Sequence, residues 1–387
     1  MPTRIQSLST YCEHKSGFMS LIHYDLEVTE RTDMPSQQSA SARSLIDFFS
    51  RAFSSFQSSS SKFQVICTAA TSLQCSGLGK GSLSQKPPID DGQQAPIPVP
   101  PQVRPRALIV LDSSFNPPTR AHMHMATSAI YDLVAKDPSK ALSNSRLLLL
   151  LSVNNADKAP KPAAFDKRLA MMWAFAWDFQ RAMRQEKWCA DGTGPTSGVG
   201  IDVDLGLCTL PYFHAKSAAI AESAFYFGKD KEKHDEGKDN TETMEQIFLV
   251  GYDTLIRIFN PKYYGPVETI ARLTTVGQSP MQKALGPFFA RSRLRVTMRT
   301  DDKWEGKEEQ IAYVEDLMKE DGLLQKVGGA RDWVNRIDMV EGLKAGVDVI
   351  SSTYARAAAK YQDANRLDLM VTPEVRWWIE HESLYQE

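Results

Sequence analysis

A net charge of −2 spread over 387 residues gives no electrostatic case for a nucleic-acid or membrane-surface partner. The hydrophobic share of 42% and charged share of 24% are those of a soluble globular protein, with enough chain for one large domain or two modest ones. Five scattered cysteines with no Cys-x-x-Cys pair exclude a disulfide framework and a zinc site, and read as a reduced intracellular protein of the cytoplasm or nucleus.

Residues 1–41 are mostly polar and lack sustained periodicity, so a disordered or loosely ordered N-terminus is expected. Its acidic residues Glu13, Asp25, Glu27, Glu30 and Asp33 argue against a mitochondrial presequence. From Ala42 the pattern turns helical, with Leu45, Ile46, Phe48, Phe49, Phe53 and Phe56 forming an apolar stripe, and a short strand follows at Phe63–Cys67. The stripe carries too little charge for a membrane surface, so residues 42–67 are expected to pack on the main domain. Residues 68–104 read as a linker, rich in Ser and Gly and then polyproline-like over Ala95–Pro101. The longest apolar runs, such as Leu147–Leu151, are far too short to span a bilayer.

The main domain, 105–387, opens with the apolar run Ala107–Leu111, the mark of a strand buried on both faces of a parallel sheet. The run breaks at Ser113-Ser114 and passes through Pro117-Pro118. From Thr119 it turns helical, with Met123, Ala126, Ile130 and Val134 at helical spacing. A strand, a short polar loop and a helix N-terminus together present free backbone N–H groups and a positive dipole end, which suits phosphate. His122, in the helix's first turn, could reach an anion there. Further strands are predicted at Arg146–Ser152, Val199–Leu205, Gln246–Val250, Arg293–Met298 and Ile337–Val340, with helices at Phe165–Lys187, His214–Phe227 and Glu308–Lys319. Lys229–Asn240 reads as a charged surface insertion. Alternating strands and helices without an internal repeat predict an α/β, Rossmann-like, doubly wound parallel sheet, with its site at the strands' carboxyl ends.

Two later segments add chemistry. In Val349-Ile-Ser-Ser-Thr-Tyr-Ala-Arg356 the hydroxyls of Ser351, Ser352 and Thr353 stand at a helix start, and Arg356 shares the face of Ser352 and Thr353. Hydroxyls, N–H groups and a guanidinium around one helix end form a second phosphate cradle. At Gly251-Tyr-Asp253 a strand-end glycine would let backbone approach a nucleotide, and the carboxylate suits a ribose hydroxyl. His122 and His124 are two apart and point different ways on a helix, so no metal ligand is assigned. Taken singly, each segment also reads as plain structure: a βα turn, a capped helix, a strand-end carboxylate.

Taken together they resemble a known family. Ser114-Phe-Asn-Pro-Pro-Thr-x-x-His122 is similar to the phosphate loop of the nucleotidyltransferase superfamily, and more narrowly to that of the nicotinamide mononucleotide adenylyltransferases, which reads G-S-F-N-P-x-T/H-x-x-H. Ser351 to Arg356 resembles the superfamily's I-S-S-T-x-x-R signature, and Leu249-Val-Gly251-Tyr-Asp253-Thr-Leu255, with Phe259 and Pro261, its G-x-D-x-L…F…P segment. Val153-Asn-Asn-Ala-Asp-Lys158 is similar to V-N-D-A-Y-K, and Leu369–Tyr385 to the family's closing helix. The likeness runs from about Ala107 to Tyr385. Ser113 and Ala121 stand where the family has glycines. A Cβ at 113 is expected to hold the backbone farther from a phosphate or to demand a different φ.

The resemblance implies a nucleotidyltransferase fold and an adenylyltransferase using ATP with Mg²⁺ and a mononucleotide such as nicotinamide mononucleotide. Ser114, Phe115, Asn116 and Thr119 would then hold phosphates through the loop, and His122 would donate to the α-phosphoryl oxygens. Lys158 would steady the incoming phosphate, while Ser351, Ser352, Thr353 and Arg356 would grip the β- and γ-phosphates. Gly251 and Asp253 would meet the ribose. Arg168 matches a family arginine on the mononucleotide side, and Tyr264, with Tyr212 or Phe213, falls where the family stacks the nicotinamide ring. Two alternatives remain at this stage: an ATP hydrolase on the same fold, and a non-catalytic nucleotide-binding protein.

Overall fold

The apolar run at Ala107 forms the centre of a seven-stranded sheet. The computed structural model describes residues 35–71, 96–136, 144–153, 163–185, 200–227, 244–264, 278–299, 306–320, 322–342 and 349–386, and only the backbone of 35–40, 136 and 185. The strands are β1 (Phe63–Ala69), β2 (Ala107–Ser113), β3 (Ser145–Ser152), β4 (Val203–Cys208), β5 (Glu245–Gly251), β6 (Ser292–Thr297) and β7 (Ile337–Val340). The helices that matter here are α1 (Pro35–Ser58), α2 (Arg120–Lys136), α3 (Phe165–Gln185), α4 (Phe213–Glu222), α5 (Tyr252–Ile258), α6 (Pro280–Arg291), α7 (Lys307–Met318), α8 (Leu323–Lys326), α9 (Ser352–Lys360), α10 (Ala364–Met370) and α11 (Pro373–His381).

The order across the sheet is β1-β4-β3-β2-β5-β6-β7, parallel from β4 to β7 and closed at one edge by antiparallel β1. The chain winds outward from β2 through β3 to β4, then returns to the other side of β2 and winds outward again through β5, β6 and β7. Winding direction therefore reverses between β2 and β5, and a crevice opens beyond their carboxyl ends, where doubly wound sheets take ligands.

Strand periodicity of two explains why these segments read as unbroken apolar runs. Ile109, Leu111, Leu147, Leu149 and Leu151 face α1, α2, α3 and the α9–α11 group in one core. Their neighbours Leu108, Val110, Leu148 and Leu150 face α4–α8 in the other. From Ser41 onward the chain forms one compact unit.

The edge strand is held by a buried polar cluster. Arg146 donates to Asp204 at 2.9 Å and to Asp202 at 2.8 Å, and the hydroxyls of Thr68 and Tyr226 also donate to Asp204. Burial still pushes the Asp204 carboxyl up to about 6. β1 extends to Ala69, so Thr68 and Ala69 belong to the strand and not to the predicted linker. Farther along that linker, Val99 donates its N–H to Thr68 Oγ1 and accepts from Arg146.

Other boundaries also move. Helix α1 begins at Pro35, inside the stretch expected to lack order, because proline at the first turn is preset for a helix. The third predicted strand shifts to Val203–Cys208, its start fixed by register against β3 and by Asp202, whose carboxylate turns to Arg146. The helix predicted to run on to Phe227 stops at Glu222. Ser223 takes extended backbone, and a separate turn carries Tyr226 inward to Asp204. Residues 1–34, the Ser/Gly-rich part of the linker and Lys229–Asn240 lie outside the described residues.

Candidate active site

The loop after β2 is braced on every side. Phe115 takes a left-handed backbone (φ 44°) and buries its ring in the core. The Phe115 side chain is therefore no part of the cavity wall, which leaves its backbone, the part of the loop expected to meet phosphate, as its route of contact. The Asn116 carbonyl accepts from Arg356 Nη1 at 2.8 Å, and the Pro117 carbonyl from the Ser352 hydroxyl at 2.8 Å. The Asn116 side-chain oxygen accepts from the Tyr385 phenol at 2.8 Å. Helix α9 thus plants its N-terminus on the loop. Its own cap is Ser351, whose Oγ accepts from the Tyr354 N–H, while Thr353 Oγ1 accepts from Arg356 Nη2 at 3.2 Å.

His122 is oriented by its neighbours. The Thr119 N–H donates to Nδ1 at 3.0 Å, so Nδ1 accepts and the proton of the neutral ring sits on Nε2, which lies 3.0 Å from Ser113 Oγ. Burial lowers its pKa to about 4, so the ring is neutral at pH 7 and remains an Nε2 donor.

These groups line one cavity of about 520 Å³ at the β2/β5 crevice. Of the residues singled out in the sequence, Ser114, Asn116, Thr119, His122, Arg168, Gly251, Asp253, Ser351, Ser352, Thr353 and Arg356 all lie on its wall. Lys158 lies outside the described residues, although Val153, which begins its motif, lines the cavity. Arg168 is buried, donates to the Ala163 carbonyl at 2.7 Å and rests on the Phe165 ring. Arg168 and Arg356 repel one another, which helps depress the pKa of Arg168 after the larger effect of burial. Neither has a carboxylate partner among the described residues, and both guanidinium groups line the cavity. That is the electrostatics of an anion site.

On the β5 side, Gly251 caps α5 and leaves room for Asp253: a Cβ there would stand 2.7 Å from Asp253 Oδ1. Asp253 accepts from Arg299 Nε at 3.2 Å and Nη2 at 3.0 Å. Arg299 lines the same wall, and the sequence reading missed it. Its position just past β6 was the available signal, since residues beyond strand carboxyl ends face the ligand crevice.

A second recess of about 220 Å³ shares Asp112, Ser113, Ser152 and Asp253 with the first. Its aromatic wall is Tyr212, His214, Tyr263 and Tyr264, with the Tyr212 and His214 rings stacked at 5.7 Å. Tyr264 is fixed by donating to the Ile258 carbonyl. His214, isolated in the sequence, is brought here by the first turn of α4. The same helix carries Lys216, which pairs with Asp112 and donates to Ser152 Oγ at 2.6 Å. Ser152 in turn donates to Asp112 at 2.8 Å. This closed, buried triangle forms the floor between the recesses. Asp112 at the end of an apolar run was the clue, because a buried carboxylate needs a partner. Among the described residues no three His, Cys, Asp or Glu side chains gather to hold a metal ion, and no helix is long and apolar enough to cross a membrane.

No family model matches the chain. Over 258 residues, 66% of its length, it is 32% identical to a Schizosaccharomyces pombe protein named "Putative nicotinamide mononucleotide adenylyltransferase", of which it covers 77%. The chain belongs to the nicotinamide mononucleotide adenylyltransferase family. It is thus a nucleotidyltransferase, and its sheet order and crevice are this family member's version of the nucleotidyltransferase fold. Among solved structures it is similar to the Plasmodium falciparum nicotinic acid mononucleotide adenylyltransferase complexed with NaAD, at 12% identity and a TM-score of 0.35, over 72% of this chain and 97% of that one. The same Plasmodium protein complexed with APC gives 12% identity and a TM-score of 0.33 over equal shares. Likeness at that level adds nothing to the fold already given by the strand order.

Proposed function

We propose that this family member transfers the adenylyl group of Mg²⁺-bound ATP to the 5′-phosphate of a pyridine mononucleotide. An oxygen of that phosphate attacks the α-phosphorus in line, the bond from the α-phosphorus to the bridging oxygen breaks, and pyrophosphate leaves. No protein nucleophile is needed, so catalysis is positioning and neutralisation of charge on the phosphoryl oxygens. The observation that carries this reading is the convergence of Arg168, Arg356, His122 and the α9 N-terminus on one cavity, with both guanidinium groups unpaired by carboxylates among the described residues.

The loop amides and the α9 end suit the triphosphate, with Arg356 on the pyrophosphate as it departs. Neutral His122 keeps its Nε2 proton at the loop, where charge builds on the α-phosphoryl oxygens. Lys158 and Arg168 are assigned to the incoming phosphate. Mg²⁺ arrives as part of the substrate, on phosphates and water. The aromatic recess favours a transferase over a hydrolase: Tyr212, Tyr264 and His214 offer faces for a second substrate's ring, for which water has no use.

The test is product analysis after incubation with ATP, Mg²⁺ and either nicotinamide or nicotinic acid mononucleotide. Dinucleotide with an equal amount of pyrophosphate supports the transferase. Orthophosphate without dinucleotide would replace it by the hydrolase, and unchanged ATP by the non-catalytic binder.

A further inference from the structure

Ser113 occupies a family glycine position, yet its backbone is not left-handed, since among the described residues the non-glycine positions with positive φ are Phe115, Gln362, Ser383 and Tyr385. The added hydroxyl therefore enters the site on backbone that is not left-handed. Its hydrogen bonds can be counted. A serine hydroxyl has two acceptor lone pairs and one proton. His122 Nε2 stands 3.0 Å away and must be the donor, because the Thr119 N–H already occupies Nδ1. The Phe115 N–H donates to the same oxygen at 3.4 Å. Both lone pairs are thereby taken. The remaining Ser113 proton has no acceptor among the described residues, and Ser113 lines both recesses where they join.

We propose that Ser113 is a phosphate-binding residue, donating its hydroxyl proton to a nucleotide phosphoryl oxygen and carrying the polarisation of His122 to it. His122 is then a positioning residue: its Nε2–H fixes and polarises the hydroxyl, and its ring need not touch the nucleotide. The chain of donors runs Thr119 N–H to His122, His122 to Ser113, Ser113 to phosphate, each link strengthening the next. A glycine at this position would leave His122 to reach the phosphate directly. This member of the family places one more donor in between. The ligand chemistry is a phosphate ester oxygen, and the proposal rests on the nucleotide reading above.

The experiment compares binding of ATP and of adenosine by calorimetry to the full chain, to Ser113→Ala and to Ser113→Cys, which keeps the size but is a poor donor. Loss of one hydrogen bond to a charged group is expected to weaken ATP roughly 10- to 100-fold while leaving adenosine unchanged. Adding His122→Ala to Ser113→Ala should cost little more, because the two act through one contact. ATP affinity unchanged in both variants would overturn the proposal, as would an equal loss for ATP and adenosine, which marks a structural role. Tripolyphosphate binding and dinucleotide synthesis by the unmodified chain separate the two readings. If the protein binds tripolyphosphate through Ser113 but makes no dinucleotide, the adenylyltransferase assignment falls and this inference stands. If dinucleotide forms and the Ser113 variants bind ATP normally, the reverse holds. If tripolyphosphate does not bind at all, both fall.

Discussion

Replacing Arg356 with leucine separates binding from folding in a way the structure quantifies. The guanidinium makes two internal hydrogen bonds, to the buried Asn116 carbonyl at 2.8 Å and to Thr353 Oγ1 at 3.2 Å, and otherwise faces the cavity. A charged hydrogen bond contributes about 1.5–3 kcal/mol and a partly exposed one less, so the stability loss should be about 1–2 kcal/mol. On the cavity side one or more contacts to phosphate disappear, weakening ATP by roughly 10- to 150-fold, and more at the transition state if charge grows on the leaving pyrophosphate. Arg356→Lys keeps the charge but not the planar fork, so it should recover part of the ATP affinity and little of the stability. Urea midpoints and ATP titrations on the three proteins give both numbers. A leucine variant that binds ATP as tightly as the unmodified chain would refute the anion-site reasoning.

Four further outcomes are expected. His122→Ala should lower turnover roughly 10²- to 10⁴-fold in the dinucleotide assay while the circular dichroism spectrum is retained. By NMR the His122 ring should titrate near pH 4. A depressed folded-state pKa means its contribution to stability, about 3 kcal/mol, is full above 6.5 and lost as pH falls through 4, a loss that chemical denaturation between pH 7 and 4 would detect in comparison with His122→Gln. Lys216→Met should cost about 3–5 kcal/mol by stranding the buried Asp112 carboxylate, and adding Asp112→Asn should restore part of it in urea melts. Gly251→Ala should push Asp253 off Arg299, leave stability within about 1 kcal/mol because the salt bridge is partly exposed, and raise the ATP requirement severalfold in steady-state kinetics.

Much of the central sheet was legible because its strands are buried on both faces, and such strands announce themselves as apolar runs. Leu147–Leu151 needed no partner information to be recognised. Edges were harder. β1 is antiparallel and its role depends on the Arg146–Asp204 cluster, which links residues far apart in sequence and leaves no local pattern. The end of the helix after β4 was misplaced for the same reason: Tyr226 leaves that helix to satisfy Asp204. At the site, residues within contiguous motifs were visible, including Ser114, His122, Asp253, Ser351 and Arg356. Residues that arrive alone were not. Arg299, His214 and Lys216 acquire meaning only when β6 and α4 bring them beside β2 and β5.

The brace between Tyr385 and Asn116 joins positions 269 residues apart, and α9 crosses a similar distance to reach Pro117. Neither clasp can close until synthesis has passed residues 352 and 385. All seven strands precede both residues, so the loop after β2 would gain its supports, and with them the proposed competence for ATP, only after the sheet has been synthesised. A chain clipped between residues 381 and 385 would keep every strand and helix named above yet lose the Asn116 brace, and so be poorly prepared for substrate.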